Sequence, residues 1–168
     1  MEILIGKQKF TGTKLLDLQI SKAESLLEKI ESQSDYLDIM ESVLLELTNA
    51  PSEILDDADV VQLSALFAEL TNTKFDGDTE FSIKIDGLVY TRPANVVITR
   101  KMQKQMNPFF KDGKGYLRAA AAAIFTAEDE DTEFEDRYKK LGEVPLKHVI
   151  DVVVANITVV AEQVKLIK

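Results

Sequence analysis

The sequence predicts a mainly α protein with a small β component: a helical lobe, a central β-hairpin over about 81–92, and C-terminal helices. Three observations carry this. Apolar residues recur at three- and four-residue intervals through most of the chain, and several runs open on Ser, Thr or Asp. One stretch alternates instead, with Phe81, Ile83 and Ile85 leading into Asp86-Gly87. The chain has no Cys, so neither disulfides nor thiolate metal sites can hold it together. Its 168 residues suit one domain, 1–168, or two lobes: an N-terminal helical lobe 1–74, then the hairpin with a C-terminal helical lobe 75–168.

Taken in order, Glu2–Ile5 reads as a short strand ended by Gly6. Leu16, Leu18 and Ile20 alternate with Asp17 and Gln19, which fits a second strand. Ser21 and Glu24 have capping-box spacing, and Ala23, Leu26, Leu27 and Ile30 then share a helical face. Ser34 or Asp35 opens the next helix, with Leu37, Met40, Leu44 and Leu47 inward. Thr48–Pro51 stops it, and a short helix Ser52–Asp56 follows. Asp59 caps a stronger helix whose inward face is Leu63, Leu66, Phe67 and Leu70. A polar connection, Thr71–Thr79, leads to the hairpin, and its Asp76–Glu80 portion reads as a turn.

Asp86-Gly87 tolerates the positive φ values of a type I′ turn, which sets Ile85 opposite Leu88 and Ile83 opposite Tyr90. Pro93 cannot donate to a ladder and ends the second strand. Thr99 caps a basic helix, Arg100–Met106, which Asn107-Pro108 is expected to break. Tyr116–Thr126 reads as helix around five alanines, Ala119–Ala123, whose small bulk suits close internal packing or a subunit contact. A helix over Glu133–Leu141 puts Phe134, Tyr138 and Leu141 on one side. Leu146–Ile167 keeps a three/four rhythm despite its β-branched residues, and reads as a long helix.

Charge is segregated along the chain. The net charge is −9, yet residues 1–84 hold 17 acids and 7 bases, whereas residues 85–168 hold 12 acids and 13 bases. Arg92 to Arg118 contains seven bases against the single acid Asp112, and Glu128 to Asp136 then contains seven acids. An acidic total disfavours general binding to a phosphate backbone, so no nucleic-acid partner is favoured. No apolar run approaches the ~18 residues of a membrane span, and Met1–Gly6 lacks the basic start of a signal peptide, so no membrane role is expected.

The groups able to do chemistry are sparse. His148 is the one histidine, with Asp151 three residues on; no Ser or Cys nucleophile motif accompanies them, and an ordinary surface histidine is expected. Glu128–Asp131 has the composition of a cation site but not the spacing of a calcium loop, and reads as a solvated acidic loop. Lys111–Gly115 lacks the spacing and hydroxyl of a phosphate-cradling loop. No catalytic residue, cofactor or metal site is therefore expected, and the chain reads as a non-enzyme. The candidate partner-binding residues are Arg100, Lys101, Lys104 and Lys111 with Phe109 and Phe110. Cations around paired aromatics are an interface composition. The two phenylalanines can instead close the core, or stack nucleobases.

The segment Leu45–Leu63 (Leu-Glu-Leu-Thr-Asn-Ala-Pro-Ser-Glu-Ile-Leu-Asp-Asp-Ala-Asp-Val-Val-Gln-Leu) resembles bacteriophage tail assembly chaperones. In those, a helix ends in a Thr-Asn or Thr-Gly turn, a short acidic helix follows, and an Asp opens an Asp-x-x-x-Leu helix. The hairpin and the Thr-capped segment after it look like other small phage structural proteins. The resemblance implies a non-enzymatic bacteriophage assembly or virion structural protein acting through protein–protein contacts. Its partners would be other phage or assembly proteins, or further copies of itself. Its place would be the host cytoplasm or the virion. The alternatives are a phage regulatory or host-interaction protein, such as an acidic inhibitor or mimic, and a small carboxylate-dependent enzyme.

Overall fold

The structure, a computed structural model, describes residues 1–72, 81–127 and 133–155. The protein is mainly α with a small β component. Its chain separates into two compact units, Met1–Leu18 with Lys22–Lys74, and Gln19–Ser21 with Phe75–Lys168.

The first unit opens with a hairpin of β1 (Glu2–Ile5) and β2 (Gln8–Thr11), turning at Gly6, whose φ is +60°. Ile3 and Ile5 point into the core, while Gln8, Lys9 and Thr11 face water. The outer edge of β1 is occupied by one side chain: the Gln62 amide accepts from Gly6 N at 3.0 Å and donates to Leu4 O at 3.4 Å. It takes the place of a neighbouring strand and blunts the open edge. Helices α1 (Ile20–Glu31), α2 (Tyr36–Leu47), α3 (Ser52–Asp56) and α4 (Val60–Leu70) follow.

Their caps explain their boundaries. Asp35 accepts from Leu37 N at 2.7 Å, and Asp59 accepts from Val61 N at 2.8 Å and Gln62 N at 3.1 Å. Leu44, Leu47 and Leu70 are fully buried at the centre of this unit.

Two expectations fail here. Leu16, Leu18 and Ile20 do not form a strand: Leu15–Asp17 is a 3-10 turn, and Ile20 already starts α1. All three are buried, so the alternation marks burial from three different local conformations. Ser21 also does not open the helix, which begins one residue earlier. Ile20, fully buried, donates its N–H to Val144 O at 2.9 Å, and this tertiary bond sets the helix start.

In the second unit, β3 (Phe81–Ile85) and β4 (Leu88–Arg92) form the expected hairpin, with Ile85 opposite Leu88 and Ile83 opposite Tyr90. Asp86 and Gly87 have φ values of +50° and +84°, as a type I′ turn requires. A short β5 (Thr126–Ala127) extends the sheet on the β4 side. This corrects the expectation of helix through Thr126: α6 (Tyr116–Ile124) stops at Phe125, which is fully buried and extended.

Helix α5 (Arg100–Asp112) packs on α6, and α6 on α7 (Phe134–Lys140). Ala119 to Ala122 are fully buried, so the alanine run serves close internal packing. The expected long helix from Leu146 begins later. Leu146–His148 is a 3-10 turn, Val149 has φ −130°, and residues 150–155 are helical. The remainder of that reading, and those of Asp76–Glu80 and Glu128–Asp131, lie outside the described residues.

Candidate functional site

Thr99 starts α5: its hydroxyl accepts from Met102 N at 3.2 Å. The helix then runs through Pro108 to Asp112, ending at Gly113 with φ +69°. The expected break at Asn107-Pro108 does not occur. Proline removes one backbone donor and crowds the carbonyl of Lys104, at a cost of about 3 kcal/mol. Packing on both sides of Pro108 offsets this. Met106 is fully buried, Phe109 stacks on Tyr138 with ring centres 4.8 Å apart, and Phe110 lies 5.2 Å from Tyr116.

Continuity of the helix aligns the candidate residues. At 3.6 residues per turn, Arg100, Lys104 and Lys111 fall within about 40° of one another, and Lys101 within about 100° of Arg100. All four are exposed, and buried Met106 lies on the opposite side. None of the four is ion-paired among the described residues. Phe109 and Phe110 are half-buried: Phe109 falls on the side of the helix opposite Arg100, and Phe110 packs beside Tyr116.

Phe109 instead contributes to a groove of about 570 Å³ between α5 and α7. Its apolar floor is Phe109, Phe134 and Tyr138, a cluster in which Phe134 lies 6.2 Å from Phe109 and 6.4 Å from Tyr138. Lys104 and Gln105 form the α5 rim, and Glu133, Glu135 and Lys139 the α7 rim. Lys104 and Gln105 also line a surface depression with Arg100 and Lys101, so the groove opens onto the cationic face. Tyr138 is held from below: the Arg118 guanidinium sits 5.0 Å from its ring centre, and its hydroxyl lies against Gly115. Gly115 has φ +69° and leaves no room for a Cβ there.

Arg92 does not belong to the basic face. Its side chain is 1% exposed. Nη1 and Nη2 donate to the two oxygens of Asp151 at 2.9 and 2.8 Å, and Nη1 also donates to His148 O. Nε donates to Pro93 O at 3.2 Å. Burial alone would raise the pKa of the Asp151 carboxyl. The hydrogen bond and charge of Arg92, with the backbone N–H groups of Val152 and Asp151, outweigh that and hold it below the usual aspartate value.

His148 is half-buried rather than on the surface, with its ring edge-on to Phe125 at 6.4 Å. Asp151, the carboxylate that its spacing offers as an orienter, is engaged by Arg92. The strand period carried a signal for this: Leu88, Tyr90 and Arg92 share one face, and Tyr90 is fully buried.

Among the described residues, no group of three or more His, Asp or Glu side chains is placed to hold a metal ion, and no helix is long and apolar enough to cross a membrane. No protein-family model, curated protein or solved structure matches the chain.

Proposed function

We propose that this chain is a non-enzymatic bacteriophage assembly protein of the tail assembly chaperone type, which binds other proteins through the cationic face of α5 and the groove beside it. One observation carries the binding role. Arg100, Lys101, Lys104 and Lys111 share one exposed helix face and are not ion-paired among the described residues, in a chain of net charge −9. An acidic chain that concentrates unneutralised cations beside an apolar groove is suited to an acidic protein partner with an apolar anchor. The assembly role is supported by the resemblance of Leu45–Leu63, where a helix stop at Thr48, a short helix Ser52–Asp56 and an Asp59 cap follow in that order.

The test is co-expression of the chain with phage tail proteins encoded beside it, followed by affinity capture. A tail protein should co-purify with the wild-type chain and be lost with R100E/K101E/K104E. Failure to retain any tail protein, or equal retention by the triple variant, contradicts the reading. Mass spectrometry of purified particles then separates a chaperone, which is absent from them, from a virion component, which is present.

A further inference from the structure

The groove between α5 and α7 has an apolar floor, a cationic α5 side, and two glutamates with Lys139 on its α7 side. The matching occupant has an apolar anchor with its acidic groups turned toward α5 and away from Glu133 and Glu135. The first unit of the chain presents that combination where α3 meets α4. Val60 and Val61 are 52% and 78% exposed at the start of α4. Glu53, Asp56 and Asp57 are exposed just before them, and none is ion-paired among the described residues. Asp59 lies between, its carboxylate held by the α4 backbone, which fixes the valine pair in place.

We infer that the α5–α7 groove is the seat of the α3–α4 corner of a second copy of this chain. Val60 and Val61 enter over Phe109, Phe134 and Tyr138, while Glu53, Asp56 and Asp57 meet Arg100, Lys101 and Lys104. Both surfaces are on every copy and they are different surfaces, so the contact is heterologous and can pass from copy to copy. Apolar burial holds the contact together, and the charges set its orientation and speed of formation. This inference rests on the reading that α5 is a protein-binding face, and it names one partner of that face.

Sedimentation velocity of the full chain tests it. The wild-type chain should self-associate, with affinity falling about tenfold between 0.05 and 0.5 M salt as the charges are screened. R100E/K101E/K104E and E53K/D56K/D57K should each lose at least about 100-fold in self-affinity. An equimolar mixture of the two variants should associate again, because each reversed surface then meets its complement. Val61→Ser, at a position with no packing role, should weaken the wild-type contact about tenfold without unfolding the chain.

A monomeric wild-type chain at low salt overturns the inference. So does an acidic-corner variant that associates like wild type, or a mixture that stays monomeric while each variant keeps a native melting curve. If one of these results is found while the wild-type chain still binds a tail protein and the α5 variant does not, the inference alone falls. If neither variant changes any binding, the functional reading falls with it.

Discussion

Arg92, at the end of β4, grips both carboxylate oxygens of Asp151, 59 residues later in the chain, at 2.9 and 2.8 Å. The pair ties the hairpin to the segment beginning at Leu146, and the two partners are not equally placed. The Arg92 side chain is 1% exposed and that of Asp151 is 53% exposed. Removing Arg92 empties a buried site and leaves the carbonyls of Pro93 and His148 without its donors. Arg92→Ala should therefore cost about 2–4 kcal/mol. Asp151→Asn keeps a polar group in reach of the guanidinium, and solvent screens the half-exposed carboxylate. Its cost should be smaller, about 1 kcal/mol. Urea denaturation of both variants checks the order, and an equal or reversed order contradicts this account of the pair.

The same carboxylate gives the fold an acid dependence of known sign. Its pKa is lower in the folded chain than in the unfolded one, so the unfolded state binds the proton more readily. The pair therefore stabilises the fold fully above the unfolded value of about 4, and the contribution is lost as pH falls through the lower folded value. The stability difference between wild type and Asp151→Asn should stay constant from pH 7 to about pH 5 and shrink below about pH 4. A difference that persists unchanged at pH 2–3 would falsify the assigned pKa shift.

Gly87 sits at φ +84° with open space around the position of a Cβ. Gly87→Val therefore strains the backbone without a steric clash, at an expected cost of about 1–3 kcal/mol. An unchanged melting temperature would contradict the type I′ turn.

Gly113 and Gly115 separate backbone strain from crowding. Both have φ +69°, but a Cβ at Gly113 meets nothing, whereas one at Gly115 meets the Tyr138 hydroxyl. Gly113→Ala should cost about 1 kcal/mol, and Gly115→Ala about 1–2 kcal/mol more. Adding Tyr138→Phe to Gly115→Ala should recover part of the excess, a coupling that thermal melts of the three variants and the double mutant read directly. Additive effects would show that the contact does not constrain the ring.

The hairpin at 81–92 was legible residue by residue because a period of two, an Asp-Gly pair and a terminating proline all agree. The first hairpin was only half legible. Its β2 strand carries Gln8, Lys9 and Thr11 outward and has just a half-buried Phe10 to mark it. Pro108 misled for a different reason: the local rule was sound, but aromatic packing of Phe109 and Phe110 outweighed it. That correction matters for the site, since an unbroken α5 is what brings Lys111 into line with Arg100 and Lys104. Residue types alone grouped Phe109 and Phe110 with the cations, whereas side-chain packing gives Phe109 to the groove with Phe134 and Tyr138 and sets Phe110 beside Tyr116. The partner of Arg92 was hidden because it is distant in sequence, and Arg92 itself was counted with the basic run that ends at Arg118.

The most direct measurement is binding of a tail protein to the wild-type chain and to R100E/K101E/K104E across about 0.05–0.5 M salt, with thermal melts of both proteins alongside. All three positions are exposed and unpaired among the described residues, so the melts should agree to within about 0.5 kcal/mol. Binding by the wild-type chain should weaken steadily with salt, and binding by the triple variant should be absent at every salt concentration. Salt-independent binding that survives the triple reversal would contradict the account and leave the cationic face of α5 as solvated surface.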